Sequence, residues 1–214
     1  MTQTTRLTDR KRSAILAAAA EQFRVHGYET ASMDGIAALA GVSKRTVYNH
    51  FASKEALFGE TVMTMFESSA GQLELGYQPE RSLREQLLEL MLLKMRTLSD
   101  PDFLALARVA IGEAIHAPER TLPVVARLGE REEGVTTWIR AAQADGQLKP
   151  GDPSFAATVL QGQIKTFAFW PQIAMGATPL TAEEQARVIE VAVSMFLSYF
   201  AADQEPSTPV LPGP

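Results

Sequence analysis

Apolar residues recur every three or four positions along most of the chain, and no stretch alternates polar with apolar residues as a strand does. The pattern therefore predicts an all-α protein. The first expected helix covers residues 10–26, and Gly27 follows where a helix commonly ends. The other helices expected in the first third of the chain cover residues 33–40, 44–50 and 54–75.

The rest of the chain is more apolar and predicts five further helices. Pro101 and Pro153 stand at first helical positions, and Thr-Ala-Glu-Glu at residues 181–184 resembles a capping box. Pro123 indicates a kink within the third of the five. The five helices are expected at residues 82–99, 101–116, 119–145, 153–174 and 181–202.

The last two expected helices carry apolar residues on more than one face. One face can pack within the subunit, and the simplest partner for the second face is the same helix pair in a second copy. A helix buried at the centre of a monomer would give the same pattern, but we favour a homodimer because the pair ends the chain. The residues expected at that interface are Phe155, Val159, Val188, Val191, Met195 and Tyr199.

Residues 32–54 read as a helix, a tight turn and a second helix. Gly41 supplies the turn, since glycine adopts a left-handed backbone without steric penalty. Apolar residues on both sides of the turn can form a small core, which is the layout of a helix-turn-helix. The second helix presents side chains of the types that contact phosphates and base edges, namely Lys44, Arg45, Thr46, Tyr48, Asn49 and His50.

Composition and charge narrow the class of protein. The chain has 214 residues, a net charge of −5 and no cysteine, which excludes disulfides, thiolate metal sites and cysteine nucleophiles. Residues 1–60 contain eight Lys and Arg and six Asp and Glu, whereas the remaining residues contain twelve Lys and Arg and nineteen Asp and Glu. A mildly basic head therefore precedes an acidic body. The polar start lacks a signal-peptide pattern and no apolar run has membrane-spanning length, so we expect a cytoplasmic protein with no membrane partner.

The segment GVSKRTVYNHFASKEALF, residues 41–58, closely resembles the DNA-binding signature of tetracycline-repressor-like (TetR-type) transcriptional regulators. The resemblance continues upstream through AILAAAAEQFRVHGYETASMDGIAALAG and covers about residues 10–60 without a gap. It implies a three-helix head whose recognition helix is 44–50, joined by a long fourth helix to a helical body. In that family the body binds a small ligand and dimerises through its last two long helices.

The resemblance also implies roles for individual residues. Tyr48 and His50 match positions that contact the phosphate backbone, Lys54 matches a phosphate-binding lysine, and Ser32 matches a hydroxyl that caps the second helix and touches phosphate. The residues expected at the DNA surface are therefore Ser32, Ser43, Lys44, Arg45, Thr46, Tyr48, Asn49, His50 and Lys54.

Two positions in this motif are unusual. Asp34 adds a negative charge near the expected DNA surface, although it also suits the positive end of the second helix. Gly35 lies inside that helix, where glycine costs about 1 kcal/mol relative to alanine.

A ligand pocket in the body would be apolar with a few polar anchors. Its candidate residues are Met91, Phe103, Glu113, His116, Trp138, Gln163, Phe167 and Trp170. The pattern does not separate pocket from core, so the aromatic residues are also core candidates, and His116 suits either a pocket or a helix cap. The three histidines lack the spacing of a metal site, and no cofactor is expected.

These observations predict a homodimeric, ligand-responsive repressor that binds a palindromic operator in double-stranded DNA. About nine helices are expected, divided into a flexible arm (1–8), a DNA-binding head (9–53), a regulatory body (54–203) and a disordered tail (204–214). An enzyme is disfavoured because the chain has no Gly-rich phosphate loop, paired-His motif or nucleophile elbow. A helical ligand-binding or scaffold protein that does not use its head is the other alternative, and the salt dependence of DNA binding distinguishes it.

Overall fold

The computed structural model describes residues 3–71, 75–129 and 134–202, and within these ranges the chain forms eleven α-helices and no strand. The expected all-α class is confirmed. We call α1–α3 the head and α5–α11 the body, with α4 between them. The helices are α1 (Gln3–Thr30), α2 (Met33–Leu39), α3 (Lys44–His50), α4 (Lys54–Gly71), α5 (Leu83–Leu98), α6 (Pro101–His116), α7 (Pro118–Gly129), α8 (Gly134–Ala144), α9 (Pro153–Ala168), α10 (Trp170–Ala174) and α11 (Ala182–Phe200).

Several body helices begin at a side chain that accepts a hydrogen bond from an otherwise unpaired backbone N–H. Ser82 caps α5, Asp100 caps α6 and Asp152 caps α9 in this way. Thr181 begins α11 with the expected capping box, in which the Glu184 carboxylate accepts from the Thr181 backbone N–H at 2.8 Å. The sequence signals for the starts of α6, α9 and α11 are therefore confirmed.

The first helix is longer than its pattern predicted. It begins at Gln3, so residues 3–8 of the expected flexible arm are helical. Gly27 interrupts it where the helix was expected to end, with φ of 72° and ψ of 175°, a conformation that glycine adopts readily because it has no Cβ. Residues 72–74, at the expected end of α4, and 203–214, which include the expected tail, lie outside the described residues.

Each of two predicted long helices corresponds to two helices within the described residues, which therefore contain eleven helices where nine were expected. In the first of these regions, α7 continues through Pro123 to Gly129 and α8 begins at Gly134, and residues 130–133 lie outside the described residues. The helix expected at 153–174 breaks at Phe169 because Pro171 has no N–H to donate to the Phe167 carbonyl. That carbonyl instead accepts from the side-chain amide of Gln172 at 3.5 Å.

The buried apolar residues form two clusters. One lies in the body and includes Leu90, Trp138, Ile164 and Phe196. The other is the core of the head, where Ile15, Phe23, Ile36 and Val47 meet. This second cluster also takes in residues of α4, α6 and α7, namely Leu57, Phe58, Val62, Met63, Leu106 and Val124.

Three aromatic rings join α1 to α4 within the head cluster. The Phe58 ring meets both Phe23 and Tyr28 edge to face, with 5.0 Å between centroids in each pair. The Tyr28 hydroxyl donates to the Glu55 carboxylate at 3.0 Å. Helix α4 is therefore packed directly against the first helix of the head.

Candidate nucleic-acid interface

The turn between α2 and α3 is built around Gly41, whose φ is +64°. The Gly41 N–H donates to the Ala38 carbonyl at 3.2 Å, and the Val42 N–H donates to the Ala37 carbonyl at 3.0 Å. These two bonds form a Schellman motif, which requires a left-handed residue at this position. The turn predicted from the glycine is confirmed.

Serines fix the start of both helices of the motif. The Ser32 hydroxyl accepts from the Gly35 N–H at 3.1 Å, and the Ser43 hydroxyl accepts from the Thr46 N–H at 3.1 Å. The Ser43 and Thr46 hydroxyls also lie 2.8 Å apart and share a hydrogen bond. Both predicted helix starts are confirmed, and the first turn of α3 is held by two side chains that are themselves candidate DNA contacts.

Helix α3 turns one apolar residue inward and its polar residues outward. Val47 is fully buried in the head core, whereas Lys44, Arg45, Tyr48 and Asn49 are exposed. Within the described part of the chain, the side chains of Arg45, Tyr48 and Asn49 have no hydrogen-bond partner. They are therefore available to bind an external acceptor, and Asn49 can also accept a hydrogen bond.

Gly35 permits a close approach of α2 to α1. A Cβ at this position would lie 3.1 Å from the Gln22 Oε1 atom and 3.2 Å from the Ser32 hydroxyl. The helix-forming penalty of this glycine is thus offset by close packing, a reason that the sequence alone does not give.

Asp34 lies beside the start of the recognition helix and pairs with Lys44, with 2.9 Å between ammonium and carboxylate. The hydrogen bond from Lys44 to Asp34 and the charge of that carboxylate raise the pKa of Lys44 above its ordinary value. Both groups are exposed, so the pair can open when a phosphate competes for the ammonium.

The Lys54 side chain contacts the C-terminal end of α1. Its ammonium donates to the carbonyls of Glu29 and Ala31 at 3.1 and 3.0 Å, and it lies 4.5 Å from the centroid of the Tyr28 ring. In this structure the side chain closes the C-terminal end of α1. The phosphate contact implied for Lys54 stays a prediction, and the ammonium has a third N–H that these two bonds do not use.

Ion pairs connect the head to α4 and to the body. The Glu60 carboxylate accepts from Arg127 of α7 and from Arg12 of α1, at 2.6 Å in each case. These two guanidinium groups lower the pKa of Glu60 below its ordinary value.

A second charged cluster lies where the end of α1 meets α6 and α7. One Arg120 nitrogen donates to Glu29 at 2.7 Å and to Glu113 at 3.1 Å, and the guanidinium lies 5.1 Å from the Tyr28 ring centroid. Burial, and then the hydrogen bond to Glu55, raise the pKa of Tyr28.

A cavity of about 660 Å³ lies between α1 of the head and helices α4, α5 and α6. Its walls combine apolar, hydroxyl and charged side chains, including Leu16, Thr61, Met65, Arg96, Asp102 and Phe103. Sequence reasoning found only Phe103 among these, because one wall comes from α1, which is distant along the chain from α4, α5 and α6. Apolar residues at helical spacing look the same whether they line a cavity or fill a core.

The other residues predicted to bind a ligand lie at separate places. Met91 and Trp138 are buried in the body core, with 0% and 1% of their surface exposed. Glu113 is engaged with Arg120 near the head. Of the four remaining residues, Gln163 is half-buried, and three are exposed, namely His116, Phe167 and Trp170. A ligand role for these residues stays a prediction.

The six residues predicted at a dimer interface share the outer faces of α9 and α11. Phe155, Val191, Met195 and Tyr199 are 61%, 49%, 58% and 70% exposed in the single chain. The other two, Val159 and Val188, are half-buried. The two helices therefore carry an apolar face that their own subunit leaves uncovered.

Two further expectations concern metals and membranes. Within the described ranges, no group of three or more His, Asp or Glu side chains is placed to hold a metal ion. No helix of those ranges combines the length and the apolar character that crossing a membrane requires.

The exposed donors of α3, the turn at Gly41 and the helical body define a helix-turn-helix DNA-binding protein with an all-helical regulatory domain. Two family models match the chain. Residues 15–61 match "Bacterial regulatory proteins, tetR family". Residues 85–202 match "AefR-like transcriptional repressor, C-terminal domain". The chain belongs to the TetR family of transcriptional regulators.

Solved structures and a curated relative agree with this assignment. The chain is 49% identical to a TetR family transcriptional regulator from Pseudomonas syringae pv. tomato str. DC3000, with a TM-score of 0.75 over 94% of this chain and 98% of that one. It is 26% identical to the flavonoid-responsive regulator FrrA, with a TM-score of 0.68 over 92% and 100% of the two chains. It is also 26% identical to the transcriptional regulator RutR of Escherichia coli strain K12 over 78% of this chain and 79% of that protein.

Proposed function

We propose that the protein is a homodimeric repressor that binds a palindromic operator in the cytoplasm and responds to a small ligand. The observation that carries the DNA-binding part is the outer face of α3, where Arg45, Tyr48 and Asn49 are exposed and have no hydrogen-bond partner in the described chain. The helix is oriented by its Ser43 cap and by the buried Val47, so these donors project together from the head.

The length of the recognition helix supports a dimer. Seven residues at about 1.5 Å each span about 10 Å, which corresponds to roughly three base pairs. Such a short readout does not distinguish one site in a genome, whereas two heads reading half-sites about one helical turn apart read twice as many positions. The uncovered apolar face of α9 and α11 is the surface we propose for that pairing.

The DNA-binding proposal is tested by selecting duplexes from a random library with the purified chain. We expect enrichment of an inverted repeat that Tyr48→Ala and Arg45→Ala no longer enrich. Arg140→Ala, which changes an exposed arginine of α8, is the matched control and should enrich the same repeat. Failure of the unmodified chain to enrich any sequence at low salt would contradict the proposal and favour the scaffold alternative.

Salt dependence gives a second readout on the selected operator. Each phosphate neutralised by the protein contributes about −0.9 to the slope of log K against log salt concentration. Arg45 is expected to act on bases or phosphates of a half-site. We expect Arg45→Ala to weaken binding to the selected operator more than binding to unrelated duplex if it reads a base, and equally if it contacts phosphate.

The dimer is tested by light scattering after size exclusion. We expect the unmodified chain to have twice the mass of one 23.3 kDa chain. Met195→Asp should give a monomer, since it places a charge in the centre of the apolar face of α11. Ile115→Asp changes an apolar residue of α6 that is 70% exposed and should remain a dimer. A monomeric unmodified chain would contradict this part of the proposal.

The ligand response is supported by family membership and by the description of one similar structure as a flavonoid-responsive regulator. A ligand weakens operator binding only if its affinity differs between the DNA-competent and the incompetent arrangement of the heads.

A further inference from the structure

We propose that the cavity between α1 and the body binds a small aromatic carboxylic acid that also carries a hydrogen-bond donor, such as a phenolic hydroxyl. The cavity differs from the body interior that contains Met91 and Trp138, because one of its walls is the first helix of the DNA-binding head. Three properties of its lining lead to this ligand class: its apolar surface, its unpaired charge and the state of its hydroxyl groups.

The size and the apolar surface of the cavity suit an aromatic ligand. Its volume of about 660 Å³ lies within the range of small-molecule sites, about 300–1,000 Å³. Leu16, Leu106 and Phe103 contribute apolar surface to its walls. The half-buried Phe103 ring is held between Phe66 and Phe169, with 6.0 and 6.3 Å between centroids, and its part of the cavity wall is aromatic.

The lining contains three carboxylates and two guanidinium groups, and it is a guanidinium that lacks a partner among the described residues. Glu21 accepts from Arg24 at 2.5 Å, and the same guanidinium lies 3.4 Å from Asp102. The Asp100 carboxylate accepts from the first backbone N–H groups of α6 at 2.9 Å. All three acids are therefore engaged, whereas Arg96 is exposed and its side chain has no ion pair or hydrogen bond within the described residues. An external carboxylate is the natural partner for its guanidinium.

The threonine hydroxyls of the lining can accept a hydrogen bond from a donor on the ligand. The hydroxyls of Thr61, Thr64 and Thr97 each donate to the carbonyl four residues earlier, at 2.7, 2.7 and 3.5 Å. Because a hydroxyl has a single proton, these three oxygens can only accept a further hydrogen bond. An aromatic acid without a hydroxyl would offer these oxygens no donor, whereas a phenolic hydroxyl could donate to one of them.

A ligand in this position contacts the head and the body at once. The Arg24–Asp102 pair on the cavity wall already joins α1 to α6. An occupant that fixes the spacing of these helices also fixes the orientation of the head. This coupling rests on the proposed function, whereas ligand binding itself does not.

The test is isothermal titration calorimetry of the full chain without DNA, which measures the dissociation constant of the probe 3-(4-hydroxyphenyl)propanoate. Tyramine has the same ring and hydroxyl with a cation in place of the acid, and 3-phenylpropanoate lacks the hydroxyl. We expect the hydroxylated acid to bind at least about tenfold more tightly than tyramine, as loss of a charged hydrogen bond predicts. The acid without the hydroxyl should bind with intermediate affinity.

Two variants locate the site. Arg96→Gln should weaken the hydroxylated acid about tenfold or more and leave tyramine unchanged. Ala17→Phe places a ring on the exposed cavity side of α1 and should abolish binding of the probe. Arg140→Gln is the charge-matched control and should bind as the unmodified chain does. Thermal unfolding of each variant verifies that it is folded.

Three results would overturn the proposal: no binding of the hydroxylated acid at millimolar concentration, equal affinity for tyramine, or binding that survives both Arg96→Gln and Ala17→Phe. The duplex selection distinguishes this failure from failure of the proposed function. Ligand binding without operator enrichment would refute the regulator alone, and operator enrichment without ligand binding would refute the cavity alone.

Discussion

Replacing Gln86 with leucine should remove a buried polar network that holds the segment after α4 onto the body. The Gln86 Oε1 atom accepts from the Trp138 indole N–H at 3.2 Å and from the Gln78 backbone N–H at 2.8 Å. Its amide nitrogen donates to the carbonyls of Gln78 and Arg81 at 2.9 and 3.0 Å. Gln86 is 3% exposed and Trp138 is 1% exposed, so water cannot replace the bond to the indole.

The magnitude follows from which groups can find a new partner. Gln78 is exposed and Arg81 is half-buried, so water can satisfy their backbone groups after Gln86→Leu. The Trp138 N–H is left unpaired in the core, at a cost of about 1–3 kcal/mol, and the net loss of the other bonds adds to it. Leucine recovers part of this by burying apolar surface, so we expect a loss of about 2–3 kcal/mol in the free energy of unfolding.

Urea denaturation of a double-mutant cycle measures this contribution. Trp138→Phe removes the indole N–H, so Gln86→Leu should cost about 1–2 kcal/mol less in the Trp138→Phe background than in the unmodified chain. Equal costs in the two backgrounds would refute the reasoning, because the buried N–H would then contribute nothing. A loss of less than about 0.5 kcal/mol for Gln86→Leu alone would refute it as well.

Three further outcomes are expected. Gly41→Ala should lower the free energy of unfolding by about 1 kcal/mol in urea, because φ is +64° and no atom lies within 4 Å of an added Cβ, and Gly41→Asn should cost less. Arg127 and Arg12 lower the pKa of Glu60, so the Glu60 carboxylate contributes to the stability of the folded state above pH 4.5, and this contribution is lost as the pH falls through the lower native pKa. Glu60→Gln should therefore flatten the acid side of a profile of melting temperature against pH. Burial and the hydrogen bond to Asp145 raise the pKa of Tyr77 from 10.0 to about 12, so a tyrosinate absorbance titration should show a late step that Tyr77→Phe removes, with stability lost as the pH rises across that interval.

The helix-turn-helix was predictable from sequence because its determinants are local. Ser32 and Ser43 each cap a helix by accepting from a backbone N–H three residues away. The turn at Gly41 is closed by hydrogen bonds between backbone groups that are three and five residues apart. A short window of sequence contains all of these partners, so the pattern and the structure agree almost residue by residue. The exposure of α3 followed from the same window, since a single inward Val47 fixes which face of the helix is outward.

The cavity and the role of Lys54 were not predictable because their partners are distant along the chain. Lys54 binds carbonyls 25 and 23 residues earlier, and nothing near it in sequence indicates that its ammonium turns back to α1. Arg96 and Leu16 line one cavity from helices that are about 80 residues apart, so only the packing of α1 on the body brings them together. Local chemistry fixes where helices begin, and long-range packing fixes what their side chains meet.

The same packing bears on how the body can move the head. The expected boundary between residues 53 and 54 lies within one hydrophobic cluster, since Phe58 of α4 is packed against Phe23 and Tyr28 of α1. A swing of α4 relative to the head would break these contacts, each of which is worth about 0.5–1.5 kcal/mol beyond the buried area.

The exposed ion pairs between α1 and the body are cheaper to rearrange than that aromatic cluster. Arg24–Asp102 and Arg120–Glu29 both join the head directly to α6 or α7, and each includes a carboxylate that is more than 70% exposed. A movement of the head and α4 against α6 and α7 would exchange these pairs, and it would also shift Leu106 and Val124, which are buried in the same cluster. A ligand between α1 and α6 would act on that boundary directly, whereas a ligand deeper in the body would have to displace α6 or α7 first.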